Sequence, residues 1–180
     1  MFLGVDSGGT KTAYILINSS GEIIATHYEP TSYYLEVGLE TSERVICRGL
    51  EALCAKAKIT PQQIRYSFFG LPAYGEDRQV TQLLNALPKR ILNKRQYSCG
   101  NDMVCGWAGS LGGIDGINIV AGTGSIGYGE YKGTTARAGG WSEVIGDEGS
   151  GYWIASHGLS LFSRMADGRV KKGPLFDIMM

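Results

Sequence analysis

The sequence lacks the features that mark nucleic-acid-binding, membrane and zinc proteins. Its 17 Lys and Arg residues balance 17 Asp and Glu residues, so no net charge attracts nucleic acid or an anionic membrane. No apolar run approaches the roughly 18–20 residues that cross a bilayer, and residues 1–6 do not resemble a signal peptide. The four cysteines form no Cys-x-x-Cys pair, and neither histidine lies near one in sequence. We therefore expect a cytoplasmic protein without a membrane or nucleic-acid partner.

Glycine, by contrast, is abundant, with 27 glycines in 180 residues that cluster in loops beside predicted strands. A strand, a glycine-threonine loop, a strand, a turn and a third strand begin at Phe2, and the same order begins again at Gly116. The repeat predicts two similar α/β halves, residues 1–115 and 116–180. They would face each other across a cleft into which both loops project. The second half, with three strands and one helix over 149–166, looks cut short.

Between the repeats, hydrophobic periodicity predicts the connecting elements. Helices are predicted over 41–58 and 77–87, and Thr41 or Ser42 is expected to cap the first of them. Strands are predicted over 66–71 and 96–99, and a further helix through Trp107.

The first loop, Ser7-Gly8-Gly9-Thr10-Lys11, follows Asp6 and admits three interpretations. A Walker A loop is rejected, because Thr10 separates Gly9 from Lys11 and a strand follows where that motif needs a helix. A plain hairpin turn remains an alternative. In the third interpretation the loop contacts phosphates through backbone amides and a hydroxyl, while Asp6 lies near Mg²⁺, which prefers one or two carboxylates with phosphate oxygens and waters.

The second loop, Gly122-Thr123-Gly124-Ser125-Ile126-Gly127, matches the dinucleotide fingerprint G-x-G-x-x-G. That fingerprint requires a helix to open at the loop, whereas the sequence here continues as a strand. A backbone nest for phosphates is the interpretation that remains.

Two further segments carry polar side chains suited to a site. Asp102 follows a predicted strand, where it could accept the proton of an attacking hydroxyl, or it could merely cap the next helix. Asp147 could bind a sugar hydroxyl, or, with Glu148, it could stabilise a helix start. Trp141, after Gly139-Gly140, could pack on a sugar ring or belong to the core.

These segments, taken in order, resemble the N-acetylglucosamine kinase and BadF/BadG/BcrA/BcrD ATPase family within the superfold of actin, sugar kinases and Hsp70 (ASKHA). The residues that carry the resemblance are Asp6–Lys11, Gly100–Asp102, Ala121–Ser125, Gly139–Trp141 and Gly146–Ile154. The match extends from residue 2 to about residue 175. It implies an RNase H-like α/β fold with two halves around a cleft.

The resemblance also implies a function, ATP-dependent phosphorylation of the primary hydroxyl of an amino sugar. Asp102 would be the catalytic base, and Asp6 would act on the magnesium ion. The ATP phosphates would contact Ser7, Gly8, Gly9, Thr10, Lys11, Gly122, Thr123, Gly124 and Ser125. The sugar would contact Ser32, Tyr33, Asn101, Gly140, Trp141 and Asp147. Dimerisation is common in such kinases, so a homodimer is open.

Two departures from the family pattern qualify these expectations. Tyr33 stands where relatives that recognise an N-acetyl group tend to carry Asn, so the sugar is open among N-acetylglucosamine, glucosamine and N-acetylmuramate. Relatives also continue well beyond residue 180, and we expect the chain to be truncated, to bind nucleotide poorly and to turn over little. The alternatives are an ATPase of the dehydratase-activator type and a sugar-sensing module without catalysis.

Overall fold

The first three strands of the chain share a mixed sheet with two later ones. In this computed structural model, which describes residues 1–93 and 96–180, the strands are β1 (Phe2–Ser7), β2 (Lys11–Ile17), β3 (Ile23–Pro30), β4 (Tyr66–Leu71) and β5 (Tyr97–Asn101). β1 and β3 both pair antiparallel with β2, whereas β4 runs parallel to β1 and β5 runs parallel to β4. The strand order is therefore β3-β2-β1-β4-β5, which brings the carboxyl ends of β1, β4 and β5 to one edge of the sheet.

A long helix, α2 (Leu39–Ala57), packs its apolar side chains into the core of this sheet. It follows the single turn α1 (Tyr34–Val37). The buried cluster combines strand and helix residues that are each at most 3% exposed: Leu3, Val5, Leu16, Ile46, Leu50 and Leu53. Burial of this apolar surface is the main stabilising term for the sheet and its helix.

The expected cap of α2 is wrong. The helix begins at Leu39, after Gly38, two residues before predicted. Ser42 lies inside the helix, where its hydroxyl is 2.8 Å from the Ser32 carbonyl oxygen and 3.0 Å from that of Gly38. Serine near a helix start is typical of an N-cap, but its hydroxyl can also bond to backbone carbonyl oxygens from inside the helix, as Ser42 does here.

The other connections agree with the predicted order but differ in length. α3 (Arg78–Leu84) begins after Asp77, whose carboxylate accepts bonds from the Gln79 and Val80 amides. It ends three residues before the predicted end, and a 3₁₀ turn containing Pro88, which has no N–H for a helical bond, follows at Leu87–Arg90. Another 3₁₀ turn lies at Pro61–Gln63, and α4 (Met103–Leu111) extends past Trp107.

The second set of strands forms its own antiparallel sheet in the order β6-β7-β8. The strands are β6 (Gly116–Ala121), β7 (Ser125–Tyr131) and β8 (Thr134–Gly139), followed by α5 (Gly151–Ala166) and α6 (Pro174–Met179). The chain divides into two compact units, Met1–Gly106 and Trp107–Met180, and the division falls inside α4. Within the described residues, no helix combines the length and apolar character needed to cross a membrane.

Candidate active site

Two carboxylates of the first unit lie where its parallel strands end. Asp6 of β1 pairs with Gly70 of β4, which in turn pairs with Gly100 of β5. A β-carbon added to Gly70 would lie 3.1 Å from the Asp102 Cα and 2.5 Å from the Cys105 Sγ. Glycine at position 70 therefore lets the start of α4 lie directly on β4, and it brings Asp102 beside the strand that carries Asp6.

The surroundings of these carboxylates shift their proton affinity. Burial, with a further contribution from the Asp6 charge, raises the pKa of Asp102 to about 6, although backbone hydrogen bonds at Met103 and at Asp102 itself partly oppose this. Asp6 is exposed by its accessible surface, but partial desolvation by neighbouring atoms raises its pKa, and the Lys11 ammonium partly offsets that rise. Asp102 is thus ionised at neutral pH, yet it is basic enough to accept a proton from a bound hydroxyl.

Asn101 is engaged in local structure. Its Oδ1 accepts a hydrogen bond from the Met103 amide at 3.1 Å, and its Nδ2 donates to the Tyr74 carbonyl oxygen at 3.2 Å. Asn101 therefore accepts a hydrogen bond from the first amide of α4, as the Asp102 carboxylate also does.

The loop between β1 and β2 is a hairpin whose tip is open to solvent. The Gly8 amide donates to the Lys11 carbonyl oxygen at 2.9 Å, and the Thr31 hydroxyl donates to the Gly8 carbonyl oxygen at 2.8 Å. Gly9 and Thr10 are exposed, and a β-carbon on Gly9 would meet no atom within 4 Å. The packing of the fold therefore does not require glycine at position 9. A phosphate that approached the backbone would require it, because a side chain would block the approach.

The segment after β3 lies beside this hairpin. Ser32 is 3% exposed, and its hydroxyl lies 2.6 Å from that of Ser7, which is fully buried. Tyr33 is half-buried, and its amide donates to the Thr31 hydroxyl at 3.0 Å. Burial raises the pKa of the Tyr33 phenol, with smaller contributions from nearby acidic side chains that include Glu76 and Asp102. The Tyr33 phenol therefore lies within electrostatic range of Asp102.

The second unit brings two glycine-rich loops together. The Gly151 amide donates to the Gly122 carbonyl oxygen at 2.7 Å, and the Ser125 hydroxyl donates to the Glu148 carbonyl oxygen at 2.8 Å. A β-carbon on Gly124 would lie 2.7 Å from Asp147 Oδ2, whereas one on Gly122 would meet nothing within 4 Å. A side chain at position 124 would thus displace the Asp147 carboxylate, whereas one at position 122 would meet no neighbour.

Asp147 and Trp141 occupy unusual positions within this second cluster. Asp147 is 7% exposed and has a φ of 58°, a left-handed conformation that costs a non-glycine residue free energy and is often found at functional sites. The start of α5 is capped by Ser150, whose hydroxyl accepts from the Trp153 amide, so Asp147 does not serve as that cap. Trp141 is 67% exposed, and the Arg137 guanidinium lies 5.6 Å from its ring centroid, so Trp141 is not part of the core of its unit.

Sequence reasoning missed Gly70, Glu76 and Cys105. Gly70 and Cys105 bring α4 onto β4, and Glu76 contributes to the charge around Asp102 and Tyr33. Gly70 could have been found from its pairing with Asp6 in the parallel strands β1 and β4. That pairing depends on the strand register, which hydrophobic periodicity does not predict. In the described parts of the chain, no group of three or more His, Cys, Asp and Glu side chains could hold a metal ion by itself.

A family model for the BadF/BadG/BcrA/BcrD ATPase family matches residues 3–177 of the chain. The chain belongs to this family. The match covers the strands, both glycine-rich loops and the two carboxylates of the first unit, so it confirms the resemblance that the motifs carry.

Similar proteins within the family are described as amino-sugar kinases. The chain is 31% identical to an N-acetyl-D-glucosamine kinase of Dictyostelium discoideum over 97% of its own length and 56% of the relative's. It is 28% identical to an N-acetylmuramic acid/N-acetylglucosamine kinase of Clostridium acetobutylicum, over 98% and 59% of the two chains. A solved structure of a candidate N-acetylglucosamine kinase from Chromobacterium violaceum has a TM-score of 0.73 and 31% identity, over 97% and 60% of the two chains.

These comparisons confirm the α/β fold of the sugar-kinase superfold. The chain spans only about three fifths of the length of each relative.

Proposed function

We propose that the protein containing this chain is an ATP-dependent amino-sugar kinase. It transfers the γ-phosphoryl group of ATP to the primary hydroxyl of a sugar of the N-acetylglucosamine, glucosamine or N-acetylmuramate type. The observation that carries the proposal is Asp102, a carboxylate of pKa about 6 beside Asp6 at the ends of parallel strands, the edge where ligands bind in α/β sheets. The names of the family's similar members support the substrate class.

The proposed chemistry needs one proton acceptor and several groups that position phosphate. A bond forms between the sugar hydroxyl oxygen and the γ-phosphorus, and the bond from that phosphorus to the bridging oxygen of ADP breaks. The hydroxyl proton passes to Asp102, whose raised pKa suits this transfer near neutral pH.

The phosphates are assigned to the two loops. In the first hairpin, the exposed Gly9, Thr10 and Lys11 would contact phosphate oxygens, whereas Ser7 and Gly8 form internal hydrogen bonds that shape the hairpin. In the second unit the corresponding groups are Gly122, Thr123, Gly124 and Ser125. Asp6 suits Mg²⁺, because that ion takes one or two carboxylates with phosphate oxygens and waters, and Mg²⁺ would neutralise phosphate charge there.

The sugar is assigned to Tyr33, Asn101, Gly140, Trp141 and Asp147, and Ser32 belongs to the segment that carries Tyr33. The buried, left-handed Asp147 and the exposed Trp141 ring match the common pattern of a sugar site, in which a carboxylate binds hydroxyls and an aromatic face packs on the ring. A homodimer stays a prediction.

The test is Mg-ATP-dependent ADP release by the complete reading frame that contains these residues, measured against a panel of amino sugars. We expect release that depends on one sugar class and falls by a factor of about 100 or more in Asp102→Asn, because the base is lost. Asp115→Asn, an exposed carboxylate that binds the Lys132 amide, is the matched control and should keep full activity.

Two results would overturn the proposal. ADP release that ignores every sugar would favour an ATPase of the dehydratase-activator type. Sugar binding without any release would favour a sugar-sensing module.

A further inference from the structure

Four hydroxyl groups lie in the interior between the hairpin and the segment that follows β3. Ser7, Thr12 and Ser42 are fully buried, and Ser32 is 3% exposed. A buried hydroxyl needs a hydrogen-bond partner, because its desolvation is otherwise uncompensated. All four have partners, and their hydrogen bonds connect β1, β2, β3 and α2.

The direction of these hydrogen bonds follows from counting protons. The Thr12 hydroxyl lies 3.0 Å from the Pro30 carbonyl oxygen, which can only accept, so Thr12 donates there. Each hydroxyl has one proton, so the bond of 3.1 Å between Ser7 and Thr12 must be donated by Ser7. The bond of 2.6 Å between Ser32 and Ser7 must then be donated by Ser32. The result is a one-way hydroxyl chain, which we define as Ser32, Ser7 and Thr12 ending on Pro30.

This hydroxyl chain links the two segments to which different substrates are assigned. Ser7 and Thr12 flank the hairpin that would bind phosphates, and Ser32 precedes Tyr33 on the sugar side. Two further bonds support the same connection: Thr31 donates to the Gly8 carbonyl oxygen at 2.8 Å, and Ser42 of α2 donates to the Ser32 carbonyl oxygen at 2.8 Å. Bonds in such a chain polarise one another and strengthen together.

We propose that the hydroxyl chain couples the phosphate hairpin to the sugar-side segment, so that Ser7, Thr12 and Ser32 are positioning residues. Their hydroxyl protons are donated to acceptors inside the protein, so these side chains do not donate to a ligand. They instead position the neighbouring residues that would contact the ligands. The proposal deepens the kinase function and, for its ligand-binding part, rests on it. Binding at either segment then favours the arrangement that the other ligand needs, and the effect is reciprocal.

The first test needs no ligand and uses amide hydrogen exchange in the protein and three variants. Thr12→Val keeps the side-chain shape but leaves the Ser7 proton without its acceptor, whereas Thr12→Ser keeps the hydroxyl. In Thr12→Val we expect exchange at residues 31–34 to rise about tenfold, although they lie some twenty residues away in sequence, because a buried hydroxyl has lost its partner. Thr12→Ser should restore the wild-type rate.

Ser67→Ala is the matched control. Ser67 is fully buried on β4 in the same sheet, and its hydroxyl has no hydrogen-bond partner among the described residues. Its removal should leave exchange at residues 31–34 unchanged. If Thr12→Val does not fold, Ser32→Ala replaces it, and the rise is then expected at residues 8–11. A rise confined to the strand that carries the substitution, or an equal rise in Ser67→Ala, would overturn the proposal.

The second test measures the affinity for Mg-ATP with and without the sugar that the complete reading frame uses. In the wild type, the sugar should tighten Mg-ATP binding by a factor of about 5 or more. That factor should approach one in Thr12→Val and recover in Thr12→Ser. A factor that Thr12→Val leaves intact would contradict the coupling. If no sugar affects the wild type, the kinase function fails, and the exchange experiment still decides whether the two segments are coupled.

Discussion

The two units of the chain begin with the same arrangement of three antiparallel strands, but they bury these strands to different degrees. In the first unit Leu3, Val5 and Tyr14 are at most 3% exposed. In the second unit Ile117 and Ile119 of β6 are 73% and 74% exposed. Leu3 and Val5 hold the second and fourth positions of β1, and Ile117 and Ile119 hold the same positions of β6, so the difference lies in what packs against them.

The buried core stabilises the first unit, whereas local backbone hydrogen bonds fix the shape of the loops in the second. In the first unit α2 covers the sheet, and its side chains complete a continuous core. The loops of the second unit are held by local backbone bonds, such as that from Gly140 to the Ser125 carbonyl oxygen at 2.9 Å. Glycine-rich loops can therefore take their shape in both units, whereas the large buried apolar cluster of the described residues lies in the first.

The largest expected effect is the difference in stability loss between two side-chain truncations, one in α2 of the first unit and one in β6 of the second. Leu50→Ala leaves a cavity in the first core and should lower the free energy of unfolding by about 2–5 kcal/mol. Ile119→Ala, on the exposed face of β6, should change it by less than about 0.5 kcal/mol. Urea unfolding followed by circular dichroism measures both. Equal losses would show that Ile119 is buried in solution and would remove the contrast between the units.

A second effect concerns Asp102, a half-buried carboxylate of the first unit. The pKa of Asp102 is raised from an ordinary value of 3.8 to about 6, so its ionised form costs stability above pH 6. Asp102→Asn should therefore raise the free energy of unfolding at pH 8 by about 1–3 kcal/mol. The gain should shrink as the pH falls through 6 and vanish below about pH 4, where the Asp102 carboxyl group is protonated in both the folded and the unfolded state. Asp115→Asn in the second unit should show no such gain, and a gain in Asp102→Asn that persists at low pH would contradict the electrostatic cause.

The same pKa predicts a pH limit on the proposed transfer. The base must be ionised to accept a proton, so kcat/KM for the sugar should fall below pH 6, by about tenfold for each pH unit. A pH-rate profile from pH 4.5 to 8 measures this limb. A profile that stays level down to pH 4.5 would assign the proton to a group other than Asp102.

The smallest expected effect on stability comes from replacing one glycine in each of the two loops. A β-carbon on Gly9 or on Gly122 would meet no atom within 4 Å, and neither residue has a left-handed φ. Gly9→Ala and Gly122→Ala should therefore leave the fold intact, with a change in stability of at most about 1 kcal/mol, because Ala also restricts the unfolded chain. Both should weaken Mg-ATP binding to the complete protein, because the methyl group occupies the space that a phosphate needs. Gly49→Ala is a structural contrast, since its β-carbon would lie 2.2 Å from the Tyr14 ring. Unchanged Mg-ATP affinity in Gly9→Ala would remove the first loop from the phosphate site.

Much of the fold could be predicted from the sequence, because hydrophobic periodicity and glycine-rich turns are local signals. The two sets of repeated strands begin at Phe2 and Gly116, as predicted, and the predicted strand over 66–71 matches β4. The start of α2 was not, because Ser42 bonds to Ser32, a contact between residues distant in sequence. Motifs also predict Asp6 and Asp102 as site residues, whereas the proximity of Gly70 to Asp102 depends on strand register, and the proposed hydroxyl chain depends on tertiary contacts.

The measurement that tests the central claim most directly is ³¹P NMR of the product formed from Mg-ATP and the active sugar by the complete reading frame. The account predicts a sugar phosphomonoester on the primary hydroxyl, formed in step with ADP and absent in Asp102→Asn. Inorganic phosphate as the only new signal, or a sugar phosphate that forms at the same rate without the Asp102 carboxylate, would contradict it.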